Sequence, residues 1–265
     1  MLTFLLLFFD KIHLSYNLII VLFTFTSYAL IGFIDDYLII KNRNNKGLSV
    51  NQKFFLQFIV AVIFFYFFMK GGNEPLLWIQ TLNIKYSVGF IYGFIILIIL
   101  VSSSNAVNIT DGLDGLAGGL SVIAFLAFSI ICWNADWLDG YQDIALFGFT
   151  LVGALLGFLM FNSSPAKVFM GDTGSLCLGA TLGCFSIITR HELLLVIIGI
   201  VFVIETVTCI LQIGYYKITH KRLFPMTPIH HTFERMGYNE KNIVKFFWII
   251  GVIGAILSLI FVFCL

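Results

Sequence analysis

Eight apolar stretches, each near the length needed to cross a lipid bilayer, succeed one another along this sequence with short polar segments between them. A hydrocarbon core about 30 Å thick takes roughly 20 mostly apolar helical residues to cross. The stretches fall at approximately 18–35, 54–69, 87–105, 116–133, 144–161, 175–189, 193–216 and 245–264. The runs 54–69 and 175–189 are short and are expected to extend into their flanking loops. Composition agrees: 60% of the 265 residues are hydrophobic and 11% charged, where a soluble domain has about a quarter of its residues charged. The fold class that follows is all-α, a polytopic integral membrane helical bundle, with residues 1–265 read as a single integral membrane domain. Residues 2–9 form a further apolar run, too short to span, followed by Asp10, Lys11 and His13. Lacking a basic start and a small-residue cleavage site, it does not read as a signal peptide; it reads as the end of a span whose beginning is missing.

The formal charge is +1, from 15 Lys and Arg against 14 Asp and Glu. No basic field exists that could hold nucleic acid, and that class of partner is excluded. The five cysteines (Cys132, Cys177, Cys184, Cys209, Cys264) lie singly in apolar runs, as small apolar residues do. Orientation follows from Lys and Arg, which favour short cytoplasmic loops. Taking alternate loops together, eleven of the fifteen fall on one face and Lys11, Lys70, Lys85 and Arg190 on the other. This puts loops 36–53, 106–115, 162–174 and 217–244 in the cytoplasm and the C-terminus outside.

Four polar clusters interrupt the apolar background, each in or beside one of those four loops: Asp35-Asp36, N-A-V-N-I-T-D-G-L-D-G at 105–115, F-N-S-S-P-A-K-V-F-M-G-D-T-G-S at 161–175, and P-I-H-H-T-F-E at 228–234. Their arrival on one membrane face points to one interfacial site. Asp35 and Asp36 are adjacent like charges near low dielectric, which need a cation or donors; the plainer reading is a pair of solvated helix-end acids. Asp111 and Asp114 share an i,i+3 spacing, as do Asn105 and Asn108, with glycines interleaved that let backbone approach a ligand; ordinary turn signals are the alternative. Asp172 directly precedes a span. It either caps that helix or projects a carboxylate beside free N–H groups and a helix dipole that favours phosphate. A carboxylate beside an anion site suits a magnesium–diphosphate complex. His230 and His231, being adjacent, should diverge on a regular element, which suits phosphate binding better than joint zinc ligation. Glu205 is the one carboxylate at membrane depth, and pairing with a Ser, Thr or Lys of a neighbouring helix would account for it, so it is left outside the site. Gln212, on the same run, is read as a hydrogen-bonding wall of the pocket.

Together the clusters resemble one family, the polyprenyl-phosphate N-acetylhexosamine-1-phosphate transferases. The resemblance runs from G-F-I-D-D-Y at 32–37 to the final span, and its more selective pieces are N-K-G-L at 45–48, N-A-V-N-I-T-D-G-L-D-G-L-A at 105–117, F-M-G-D-T-G-S at 169–175 and P-I-H-H-T-F-E at 228–234. The last separates the muramoyl-pentapeptide branch from the N-acetylglucosamine branch. The resemblance implies an Mg²⁺-dependent transfer of phospho-N-acetylmuramoyl-pentapeptide from its UDP derivative to undecaprenyl phosphate, releasing UMP, at the cytoplasmic face of the bacterial plasma membrane. It assigns Asp36 to the lipid phosphate, Asp35 to catalysis and Asp172 to the magnesium ion, with Asn162 beside it. It puts Asn105, Asn108, Asp111 and Asp114 in or around the uridine-side pocket, Lys46 at the pocket as a basic residue, and His230 and His231 facing the sugar phosphate.

Three departures accompany the resemblance. Thr232 stands where the family has a third histidine. Ile39 stands where a basic residue is expected, for which Lys41 could substitute. The family's first span, and its loop carrying a Pro-Thr-Met-Gly-Gly string, are not found in the sequence. The alternatives are an N-acetylglucosamine-1-phosphate transferase, a shortened inactive relative, and a transporter; the last would place carboxylates at mid-membrane on several helices, where only Glu205 qualifies. A homodimer is left open.

Overall fold

The computed structural model describes residues 14–43 and 46–264. The run 2–9, Asp10, Lys11, His13 and Asn45 of the N-K-G-L string lie outside the described residues. The chain is helical almost throughout: α1 (Tyr16–Asn42), α2 (Val50–Lys70), α3 (Ile91–Thr110), α4 (Leu116–Trp133), α5 (Tyr141–Asn162), α6 (Gly171–Ile188), α7 (Glu192–Ile198), α8 (Ile200–Thr219), α9 (Ile229–Arg235) and α10 (Glu240–Cys264). Eight of these, all but α7 and α9, are long and apolar enough to cross a membrane, which makes this a multi-pass membrane protein of the expected class. Between α2 and α3 lies a hairpin, β1 (Leu76–Ile79) and β2 (Ile84–Ser87), paired antiparallel from Leu76↔Ser87 to Ile79↔Ile84.

The helices outrun the spans read from hydropathy, because hydropathy marks where lipid ends and not where the backbone stops coiling. Helix α1 continues past Asp35-Asp36 to Asn42 and ends on Arg43 in the left-handed region, φ 48°. Helix α2 begins at Val50 with a capping box: Ser49 Oγ accepts from the Gln52 N–H and Gln52 Oε1 accepts from the Ser49 N–H. Four expected cytoplasmic loops are therefore shorter than 36–53, 106–115, 162–174 and 217–244: residues 36–42, 50–53, 106–110, 171–174, 217–219 and 229–235 are helical, as are 240–244. The run 193–216, expected as one helix, is divided at Gly199 into α7 and α8.

Helix α6 is the axis of the bundle, with α1 and α3 packed along it. Its residues are Gly, Ser, Cys, Ala and Thr interspersed with Leu and Ile, and Ser175 through Ile188 are all buried. Small residues let helices approach where apolar surface gives no preference for helix over lipid. The closest approach is at Gly32 on α1, where a Cβ would run into the backbone of Asp172 and Thr173. That contact sets one turn of α1, carrying Asp35 and Asp36, against the start of α6.

Candidate active site

Because α1 touches α6 at Gly32, the Asp36 carboxylate four residues on reaches the α6 N-terminus. Asp36 Oδ1 accepts from the Asp172 N–H at 3.1 Å; Oδ2 accepts from the Thr173 N–H at 2.9 Å and the Thr173 hydroxyl at 2.6 Å. The first N–H groups of a helix have no partner within it, and the negative carboxylate also suits the positive end of the dipole. This corrects the sequence reading of those N–H groups as free for phosphate: Asp36 occupies two of them. Asp172 is held in the first turn of α6 with its side chain outward.

Asp35, buried, faces the same cluster with other partners. Its Oδ1 accepts from the Leu48 N–H at 2.6 Å, and its Oδ2 lies 3.1 Å from Lys53 Nζ. Lys46 lies two residues before Leu48 on the same connection. Lys53 Nζ lies 2.6 Å from Asp172 Oδ2 as well, bridging the two acids. Asp172 Oδ1 accepts from Asn108 Nδ2 at 2.8 Å, and the same amide donates to Ser175 Oγ at 2.9 Å. Asp35, Asp36 and Asp172 each offer an oxygen, all within 4.8 Å of one another. Lys53 bridges two of the three carboxylates, and the three together are an all-oxygen donor set of the kind magnesium takes. Asp111, just past the end of α3, faces the same charge: burial first, then the Asp172 carboxylate, push it up to about 6.

Other expected site residues are engaged elsewhere. Asp114 Oδ2 accepts from the Ala166 N–H at 2.8 Å while its own N–H donates to Glu240 Oε1 at 2.8 Å. Asn162, buried, accepts from the Gly115 N–H through Oδ1 at 3.1 Å and donates to the Val168 carbonyl at 2.8 Å. These two residues stitch the 111–115 turn to the 162–170 segment, and Asn162 spends its amide on that task. Asn105 turns toward α2, donating to the Val101 carbonyl at 2.8 Å and to Gln57 Oε1 at 3.4 Å, so it does not join the acids by any of these bonds.

The histidines sit on the short helix α9. They do not diverge as expected: the rings lie 4.2 Å apart between centroids, inclined at 61°. Their Nδ1 atoms nonetheless go to different carboxylates, His230 to Glu205 at 3.1 Å and His231 to Glu234 at 2.6 Å. Gln212 Oε1 accepts from the Leu223 and Phe224 N–H groups at 3.0 and 2.9 Å, pinning the segment that leads to α9. It also lines a cavity of about 500 Å³ with Tyr216, Lys217, Arg222 and Thr227. Thr232 donates its hydroxyl to the Met226 carbonyl at 2.5 Å and accepts from the Met226 N–H, closing the loop where a third imidazole would have stood.

Two residues escaped the sequence reading. Lys53 entered only as one of eleven charges on its face, although its spacing of 18 from Asp35 across a connection gives no local signal. Glu205 was assigned a Ser, Thr or Lys partner; its partner is His230, brought in by the chain reversal between α8 and α9.

An acidic cluster at one end of eight membrane-length helices defines a multi-pass membrane protein with its polar chemistry gathered at a bundle end. The chain belongs to glycosyl transferase family 4, whose model matches residues 18–190. It is 46% identical to the phospho-N-acetylmuramoyl-pentapeptide-transferase of Geobacillus thermodenitrificans over 93% of this chain and 75% of that protein. The enzymes of the same name from Oceanobacillus iheyensis (42% identical; 92% of this chain, 74% of that one) and Listeria monocytogenes (48%; 87% and 70%) are similar to it as well.

Proposed function

We propose that this protein transfers phospho-N-acetylmuramoyl-pentapeptide from its UDP derivative to undecaprenyl phosphate, with release of UMP, at the cytoplasmic side of the bacterial plasma membrane, and that residues 1–265 act as one membrane-embedded transferase unit. The observation that carries the proposal is the convergence of Asp35, Asp36 and Asp172 within 4.8 Å at one bundle end, in a chain whose relatives carry this enzyme's name. An interfacial site answers the chemistry: one substrate is a lipid that stays in the bilayer, the other bears charge that lipid excludes.

Asp172 is the residue to hold Mg²⁺, with Asp35 and Asp36 adding negative potential around it. Bound there, the ion would polarise the diphosphate and neutralise charge developing on the leaving nucleotide. Asp35 accepts the proton from undecaprenyl phosphate, and the freed oxygen attacks the β-phosphorus of the nucleotide sugar. The new P–O bond forms as the bond to UMP breaks, and UMP leaves with the electron pair. Lys53 Nζ, between Asp35 and Asp172, offers its cation to the phosphate oxygens. Asn108 orients Asp172, Asp36 anchors the α6 terminus that carries it, and His230 and His231 face the sugar phosphate.

The test supplies purified protein and undecaprenyl phosphate with UDP-N-acetylmuramoyl-pentapeptide or UDP-N-acetylglucosamine and follows labelled lipid and UMP. Product from the muramoyl donor supports the reading. Product from the glucosamine donor alone transfers the chain to the other substrate class.

A further inference from the structure

We infer that Glu205 is a positioning residue for His230, holding its imidazole against the Asp111-Gly112 turn so that Nε2 meets an anionic phosphate of the nucleotide sugar. The inference rests on the transferase reading above and adds to it a residue on α8.

Four observations converge. Glu205 and His230 are both fully buried, at 0% exposure, though both are polar and one lies in a helix apolar enough to span the membrane. Glu205 Oε2 faces His230 twice, at 3.1 Å from Nδ1 and 3.5 Å from the backbone N–H. Nδ1 sits at ion-pair distance but off the line of a good hydrogen bond, and Nε2 has no hydrogen-bond partner. Finally, Nε2 presses on the turn at Gly112, where a Cβ would collide with it.

A buried carboxyl group is expensive without a polar partner, and the His230 ring supplies one to Glu205 Oε2. A structural pair of this kind would satisfy its outward nitrogen too, since an unpaired buried polar group costs about 1–3 kcal/mol. Here Nδ1, Nε2 and Glu205 Oε1 all lack a hydrogen-bond partner among the described residues, and of these Nε2 is the atom set against the turn next to Asp111, which shares the Asp172 field. A carboxyl group packed against one edge of an imidazole holds the direction of the opposite edge. Glu205 thus backs the Nδ1 edge of the ring at 3.1 Å and leaves Nε2, on the opposite edge, as the atom to meet a phosphate oxygen.

The experiment measures kcat and both KM values for purified wild type, Glu205→Gln, His230→Gln and the double variant, with the muramoyl donor and undecaprenyl phosphate. The expected result for Glu205→Gln is a fall in kcat of about 10–100-fold, the range seen when an orienting partner is removed, with KM for undecaprenyl phosphate within about twofold. In the His230→Gln background the same change is expected to cost less than about twofold, because its effect runs through the imidazole. An equal loss in both backgrounds, or no loss in the wild-type background, overturns the inference while leaving the transferase reading intact. A wild type that makes no lipid product from any donor defeats the transferase reading and this inference with it. If Glu205→Gln does not fold, Glu205→Asp, which keeps the charge but withdraws it by one methylene, is read against His230→Gln in the same way.

Discussion

Two cations, Arg190 buried and Lys53 partly so, mark the two ends of the bundle, and their company differs. At the end away from the acid cluster, Arg190 donates to the Leu76 carbonyl and the Glu74 carbonyl, both at 3.0 Å, reaches the Tyr92 hydroxyl at 3.4 Å, and lies over the Phe68 ring at 4.9 Å. Tyr92 in turn donates to Glu192. Burial holds the neighbouring His191 below the usual imidazole range. Carbonyls, a ring face and a hydroxyl thus satisfy a planar, multiply donating guanidinium, and the network is closed on itself. At the acid end, Lys53 is a point charge on a flexible stem, a quarter exposed, set between Asp35 and Asp172 with Asp36 beside them. Its partners are carboxylates, whose oxygens can also take a ligand. The lesson is that a buried cation held by carbonyls, a hydroxyl and a ring face holds a fold together, whereas a partly exposed one set between carboxylates belongs to a site.

The comparison breaks most sharply with a pair of substitutions. Asp172→Asn is expected to abolish turnover, by about 1,000-fold or more, since it removes a charge placed to act on the transition state, while thermal melting in detergent stays close to wild type. Arg190→Met is expected to do the reverse: a stability loss of about 3 kcal/mol, as for one partner removed from a buried polar network, with turnover per folded molecule preserved. Melting curves beside specific activity separate the two.

Lys53→Met comes next in size. Removing the cation that bridges Asp35 and Asp172 is expected to lower kcat about 100-fold, on the scale of a lost electrostatic contact in an active site. Lys53→Arg should not restore it, because a planar fork does not fit a gap held by a point charge. Recovery in the arginine variant would argue that only net charge matters there.

A smaller effect is expected at Gly112. Gly112→Ala puts a methyl where His230 Nε2 sits and should lower kcat about tenfold, as misplacement of a site group does. In a His230→Ala background the added methyl should cost nothing further. Gln212→Ala is the mildest: two backbone donors at Leu223 and Phe224 lose their acceptor, at about 1–2 kcal/mol, and donor KM is expected to rise several-fold with kcat retained.

Much of this was legible beforehand, for stated reasons. Lipid requires apolar runs, so seven of the eight spans were readable as continuous segments; the break at Gly199 was not, since one glycine in a helix costs only about 1 kcal/mol and leaves a weak mark. The hairpin at 76–87 was missed because four-residue strands are too short for alternation to register. The acids announced themselves, being costly at a membrane boundary, but their geometry did not: that Asp36 caps α6 follows from the Gly32 contact, which is tertiary. Lys53 and Glu205 were hidden for the same reason, each meeting its partner only once separate helices are packed.

The central claim, that Asp35, Asp36 and Asp172 form a divalent-cation site, is tested most directly by titrating Mn²⁺ into detergent-purified protein and following free ion by electron paramagnetic resonance. The account predicts one bound Mn²⁺ per chain, competed off by Mg²⁺, with affinity at least about tenfold weaker in Asp172→Asn. Binding of the same strength in that variant, or none in the wild type, would contradict it.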